Sequence, residues 1–257
     1  MNLARRIVFV LCRPMQSGNI GSVARALKNM GFTDLRLVAP VASARDRAAT
    51  SMAVHGGDVL TAATIHRDLA SALADCTLTV GTTCRPGLYR SGVVSLRGAA
   101  SELVSASAAN RIGIVFGPED HGLTNDELSA CQRLVTIPTA DEYRSLNLAQ
   151  AVMLVAYELR MAASAKVANP APAPQRATAR EVEAMLARMS NALVEIGFLP
   201  AENPSHIMFA LREIFGRSGL TPRELDILNG IARQIKWTAG EGAATLAKKR
   251  AGGRKLR

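Results

Sequence analysis

No two of the four cysteines, Cys12, Cys76, Cys84 and Cys131, have CxxC spacing. None of the four histidines, His55, His66, His121 and His206, has a partner four residues away. A metal site and a disulfide framework are therefore not expected, and a reducing cytoplasmic compartment suits this cysteine usage. Apolar runs break off within about ten residues, too short to cross a bilayer, so no membrane partner is expected. The start does not read as a secretory signal: Arg5-Arg6 precede only Ile7 to Cys12, and Arg13-Pro14 stand in place of a small-residue cleavage site. There is no internal repeat. The GxGxxG fingerprint of dinucleotide folds and the GxxxxGK phosphate loop are both absent, and no histidine matches a serine or cysteine nucleophile.

What remains is ample apolar material and a strong positive charge. Of the 257 residues, 48% are hydrophobic, enough for a sizeable core and too many for general disorder. The net charge is +10 and the isoelectric point about 10.1, which favours anionic partners such as nucleic acid. Part of that excess sits in the tail, at Lys248-Lys249-Arg250 and Arg254-Lys255-Arg257, but not all of it.

As far as residue 165, short apolar runs alternate with amphipathic stretches. Runs at Ile7–Leu11, Leu35–Val38, Leu78–Gly81, Ile112–Phe116 and Leu134–Ile137 read as strands of a buried parallel sheet. Between them lie helical patterns. The first places Ile20, Val23, Ala24 and Leu27 on one face and closes at Gly31; another opens at the Thr124-Asn125-Asp126-Glu127 capping box; a long one runs from Leu148 to about Ala165. This is an α/β domain over residues 1–165. Pro170, Pro172 and Pro174 mark residues 166–179 as a linker. Three helical stretches, Glu181–Ile196, Ser205–Phe215 and Leu225–Trp237, make a helical module over 180–240, the last after a Thr221-Pro222-Arg223-Glu224 box. Residues 241–257 form a basic tail.

Three polar segments follow apolar runs, where open α/β sheets build ligand sites. The first is Ser17 to Arg25. Here Asn19 lies at a helix start, Arg25 points away from the apolar stripe, and Gly18 and Gly21 permit close backbone approach. The second is Phe116 to Thr124. Its Glu119 is either solvated or paired with a cation such as Arg25, and its His121 reads as a loop histidine. The third is Ser145 to Ala149, with Ser145 and Asn147 at a loop-to-helix junction where capping explains one of them readily. Taken singly, each segment reads as ordinary scaffold. Together they would line one pocket.

The ordered set Asn19-x-Gly21-x-x-x-Arg25, Phe116-Gly117-x-Glu119-x-x-Gly122-Leu123 and Ser145-Leu146-Asn147-Leu148-Ala149 resembles the SPOUT methyltransferases of the SpoU/TrmH class, over residues 6 to 165. The helical module, with Glu213-Ile214-Phe215 and Glu224 to Gly230, is similar to the extension of the TrmJ branch, which methylates the ribose 2′-oxygen of tRNA nucleotide 32. The resemblance implies a parallel sheet flanked by helices with a C-terminal trefoil knot, and a homodimer with its active sites at the subunit interface. It implies S-adenosylmethionine as cofactor, held by Thr82, Thr83, Cys84, Gly117, Ile137, Arg144, Ser145 and Leu146, with arginine at 144 where relatives often carry a smaller residue. It further implies tRNA as substrate. Arg25 would accept the hydroxyl proton or stabilise the alkoxide, Glu119 would orient Arg25, and Asn19, Ser145 and Asn147 would place phosphate and ribose. The competing readings are another tRNA position or ribosomal RNA, a knotted RNA-binding protein without catalysis, and a dinucleotide-dependent oxidoreductase, against which the missing fingerprint counts.

Overall fold

A computed structural model describes residues 3–84, 92–165 and 174–242. Pro170, Pro172 and the basic clusters of the tail lie outside the described residues. The chain divides into two compact units, residues 1–179 and 180–257.

The first unit is built on seven parallel strands: β1 (Ile7–Cys12), β2 (Asp34–Val38), β3 (Thr64–His66), β4 (Leu78–Thr82), β5 (Val94–Ser95), β6 (Ile112–Phe116) and β7 (Arg133–Thr136). Their order is β3-β2-β1-β6-β4-β7-β5. The first three strands step outward in sequence, then the chain crosses to the other half. There β6 enters between β1 and β4, and β7 between β4 and β5. The five strands legible in the sequence are the buried ones. The missed pair are edge strands of three and two residues, and β3 leaves Thr64 and Ile65 exposed, so neither offers a hydrophobic run.

Strand alternation sorts the core into two layers. Ile7, Phe9 and Leu11 face one side with Leu35, Leu37, Ile112, Ile114 and Phe116. They meet α1 (Ser17–Met30), α2 (Arg47–Ala53), α3 (Gly57–Ala62), α5 (Leu96–Ala106) and α7 (Leu148–Ser164). Phe9 anchors this layer, edge-on to Phe32 at 5.1 Å and stacked with Phe116 at 6.2 Å between centroids. Val8, Val10 and Cys12 face the other side with Val115 and Leu134, against α4 (Leu69–Leu73) and α6 (Asn125–Ser129). The Thr124 capping box starts α6 as the sequence predicts, whereas α4 starts on Asp68, whose partner Ser71 is not the usual Glu or Gln.

Two glycines are required where backbones meet. A Cβ on Gly21 would sit 2.0 Å from the Ala49 carbonyl oxygen, so α1 and α2 pack only because residue 21 has none; Gly18, by contrast, meets just the Met52 side chain at 3.7 Å. A Cβ on Gly117 would lie 2.1 Å from the Gly122 carbonyl carbon, because the loop after β6 folds back on itself, with Gly122 at φ 73°.

Composition assigns residues 166–179 to a linker, but from Pro174 onward they are docked on the first unit. Fully buried Asn110 accepts from the Arg176 N–H (3.0 Å) and donates to the Pro174 carbonyl (3.3 Å), and the Ala179 N–H donates to the Cys76 carbonyl (2.7 Å). Ala177 is buried between these anchors. Helix-breaking prolines do not by themselves make a free chain.

The second unit holds α8 (Ala179–Glu195), α9 (Ser205–Ser218) and α10 (Pro222–Trp237). They bury Met185, Leu186, Met189, Ala192, Leu199, Leu220, Leu225 and Ala232. Arg212 of α9 pairs with Glu183 of α8 at 2.9 Å, and Arg188 donates to Asn229 of α10 at 2.7 Å. The Thr221 box with Pro222 at its first turn starts α10.

Candidate active site

The carbonyl ends of adjacent β6, β4 and β7 open into one cleft. Its walls include Thr82, Thr83 and Cys84 after β4, Gly117 and Glu119 after β6, Ile137 after β7, and Arg144, Ser145 and Leu146 before α7. Phe116, Pro118, His121, Leu123, Leu148 and Ala151 also line it. All eight residues assigned to cofactor binding by resemblance thus share one cleft, with Glu119 and Ser145 of the catalytic set.

Their individual roles differ. The Thr82 hydroxyl donates to the Val115 carbonyl (2.9 Å) and the Thr83 N–H to the Val135 carbonyl (3.0 Å), so these groups hold the sheet together at the cleft floor. The Arg144 guanidinium pairs with Asp141 three residues earlier, at 2.6 Å. Cys84 and Ser145 are exposed on the rim. Leu146, Ile137, Leu148 and Ala151 give the cleft an apolar part beside its polar groups. This mixed lining at a parallel sheet's carbonyl edge fits a nucleoside-bearing ligand such as S-adenosylmethionine.

Glu119 is partly exposed on the cleft wall and is not paired with Arg25. It accepts the Met15 N–H (2.9 Å), the Gln16 N–H (3.3 Å) and the Asn19 side-chain amide (2.8 Å). The Asn19 oxygen then accepts from the Asn147 amide (3.0 Å), and the Asn147 oxygen caps α7 through the Ala149 and Gln150 N–H groups (2.9 and 3.4 Å). Each amide orientation is fixed by its neighbour's need. One hydrogen-bonded chain therefore ties the start of α1 to the start of α7. Asn19 is 8% exposed and serves this chain, while Asn147 is the helix cap and Ser145 is not.

Arg25 stands apart. It lies six residues beyond Asn19 on α1, about 9 Å along the axis. It is exposed, does not line the cleft, and among the described residues makes no hydrogen bond or ion pair. The expectation that Glu119 orients Arg25 fails within one chain: the carboxylate takes N–H donors from Met15 and Gln16 before α1 and from Asn19 in its first turn, and Arg25 is not among its partners. His121 stays a loop residue, its ring 2.5 Å from Asp120.

Two residues missed by sequence reasoning brace the site. Arg13 forms a two-pronged pair with Glu127, at 2.5 and 2.9 Å. Burial pushes the Glu127 carboxyl up, but the Arg13 guanidinium and the Thr124 N–H outweigh this and hold it below the usual carboxylate range. The Cys12 thiol is pushed up by burial and by the Glu127 charge, so it is inert beside them. Glu127 is visible in sequence only as a capping residue; its second partner lies 114 positions away.

Fold and cleft together define an α/β protein with a small-molecule site at a topological switch point. The SpoU rRNA methylase family profile matches residues 6–157, and that of the tRNA methyltransferase TrmJ C-terminal domain matches residues 180–247. The chain belongs to the SpoU methylase family, in its TrmJ branch. It is 37% identical over 244 residues to the tRNA (cytidine/uridine-2′-O-)-methyltransferase TrmJ of Cronobacter sakazakii, covering 93% of this chain and 99% of that one. It is 38% identical to the tRNA (cytidine/uridine/adenosine-2′-O-)-methyltransferase TrmJ of Pseudomonas aeruginosa, over 91% and 95% of the two chains. The crystal structure of TrmJ from Z. mobilis ZM4 superposes with a TM-score of 0.78 at 33% identity, covering 89% of this chain and 98% of that one.

Proposed function

We propose that this protein transfers a methyl group from S-adenosylmethionine to a cytidine or uridine ribose 2′-hydroxyl in tRNA, at nucleotide 32 of the anticodon loop. The observation that carries the reading is convergence: segments more than a hundred residues apart line one cleft or join the hydrogen-bonded chain at its edge. Relatives named as tRNA 2′-O-methyltransferases match nearly the full length, helical unit included, which supports tRNA as substrate. Among the described residues no group of histidines, cysteines or carboxylates could hold a metal ion, and no helix is long and apolar enough to cross a membrane. Residence in the cytoplasm follows from the substrate.

When bound, S-adenosylmethionine supplies an electrophilic methyl on a sulfonium. The residues around the cleft would hold it: Thr82 to Cys84 and Gly117 on one side, Ile137 and Arg144 to Leu146 on the other. As the ribose oxygen bonds the methyl carbon, the carbon–sulfur bond would break to leave S-adenosylhomocysteine and the hydroxyl proton would pass to the neighbouring phosphate or to water, so alignment and charge stabilisation carry the rate. We assign Arg25 to the developing alkoxide and the neighbouring phosphate. A guanidinium with a pKa above about 12 stabilises an oxyanion far more readily than it accepts a proton.

Arg25 does not reach its own cleft, so we infer a homodimer in which Arg25 of one protomer serves the cleft of the other. Leu154, Tyr157 and Met161 support this: spaced i, i+3 and i+7 on α7, they are about two-fifths exposed and form an apolar stripe. The trefoil knot belongs to the same reading. Late strands β6 and β7 enter slots between earlier strands, an order of the kind in which a chain threads itself.

The test is Arg25→Ala. The variant should fold, bind S-adenosylhomocysteine normally and transfer a labelled methyl at under about 1% of the wild-type rate. Undiminished transfer to purified tRNA would refute the role of Arg25. Label found only in ribosomal RNA, or at another tRNA nucleotide, would refute the substrate.

A further inference from the structure

We infer that Arg13 is a positioning residue for methyl transfer: its pair with Glu127 holds the segment before α1 in the shape that presents the Met15 and Gln16 N–H groups to Glu119. This deepens the methyltransferase reading and rests on it.

Arg13 follows β1 with φ 47°, a left-handed backbone that a residue with a side chain adopts rarely and at a cost. Something must hold it there. Its N–H donates to the Val38 carbonyl at 2.8 Å, which fixes one edge. Its guanidinium reaches across to α6 and meets both Glu127 oxygens, in the paired geometry that fixes direction as well as distance. Glu127 is itself already aimed, because its Oε2 accepts the Thr124 N–H (2.9 Å) and hydroxyl (3.1 Å). The Glu127 side chain is 12% exposed and that of Arg13 32%, so solvent screens the pair only in part.

One residue on, the Pro14 carbonyl accepts from Val41 and Ala42, and then come the two N–H groups held by Glu119. Two carboxylates from the segment after β6 thus grip the segment after β1, Glu127 by a side chain and Glu119 by backbone. Without Arg13 the left-handed turn has one grip fewer. Met15 and Gln16 then drift from Glu119, and Asn19 and Asn147, which are hydrogen-bonded in series beyond it, lose their reference. Arg13 touches no reacting atom; it acts through Glu119.

The experiment compares full-length wild type with Arg13→Ala, Arg13→Lys, Glu127→Gln and the Arg13→Ala/Glu127→Gln double variant. Arg13→Ala should lower kcat for tRNA methylation about 10- to 100-fold, the scale of a misplacement of about 1 Å, with KM for S-adenosylmethionine within about threefold of wild type. The double variant should be no slower than Arg13→Ala, because both remove one interaction. Arg13→Lys keeps a single prong, should remain folded, and should fall between. A folded Arg13→Lys or Arg13→Ala with wild-type kcat and only a lowered Tm would overturn the proposal, as would independent, multiplying losses in the double variant. If the wild type methylates no tRNA, the functional reading fails on its own. The clamp is then judged by amide hydrogen exchange at Met15 and Gln16, expected to accelerate at least about tenfold in Arg13→Ala while the interior of α1 is unchanged. Unchanged exchange at both amides would overturn it.

Discussion

Glu119 and Glu127 are both carboxylates on the loop side of the sheet, yet their partners give them different work. Glu119 collects neutral N–H donors; Glu127 takes a cation and a helix cap. That these residues matter is legible in sequence, since a carboxylate after a buried strand needs a donor and Thr124-x-x-Glu127 announces a helix start. Which donor each receives is not legible. The partners lie about a hundred positions away, and Arg25 is as good a chemical match for Glu119 as the amides that fill it. The Glu127 pairing has a pH signature. A carboxyl held below its ordinary value in the fold contributes stability that is complete above the unfolded pKa, near 4.3, and is lost as pH falls through the folded value. Glu127→Gln should therefore be less stable than wild type at pH 6, with the gap closing as pH drops below about 4. Urea midpoints for both proteins between pH 7 and pH 3 check this, and a gap that stays constant would mean that the charge of Glu127 contributes nothing.

Among the elements, those that bury a hydrophobic run are legible and those that exist by docking are not. β1, β2, β4, β6 and β7, with α1 and α7, carry the core and show their periodicity. β3 and β5 are formed by pairing with an existing edge, so their own residues hold no pattern to read. The stretch from Pro174 to Ala179 is the sharpest case. Its proline excludes a helix interior, but its fixation comes from Asn110, whose side chain satisfies Pro174, Arg176, Thr77 and the Ala106 carbonyl at once. Asn110→Ala leaves the Arg176 N–H and the Pro174 carbonyl without that partner, and should cost about 1–3 kcal/mol. Hydrogen exchange should accelerate at the Arg176 amide and stay slow at the β6 amides. A variant with wild-type stability and slow exchange at Arg176 would show that Asn110 is not the anchor.

For the whole molecule the decisive property is charge, and it is the one functional trait that composition alone carries. A net charge of +10 on 257 residues creates a field that draws a polyanion without selecting a sequence. Binding through that field and binding in the cofactor cleft separate under salt. Phosphate contacts to a single-stranded loop release counterions, with log K falling by about 0.7 per contact for each unit of log salt. Five such contacts would weaken tRNA binding about 100-fold between 50 and 200 mM salt. S-adenosylhomocysteine binding in the cleft involves no such release and should change less than about threefold over the same range. Filter binding for tRNA and calorimetry for S-adenosylhomocysteine measure the pair on one preparation. If tRNA affinity proves as flat as that of the small ligand, the basic surface does not hold the RNA. Recognition would then have to rest on base and sugar contacts, and a polyanionic competitor such as heparin should fail to displace tRNA.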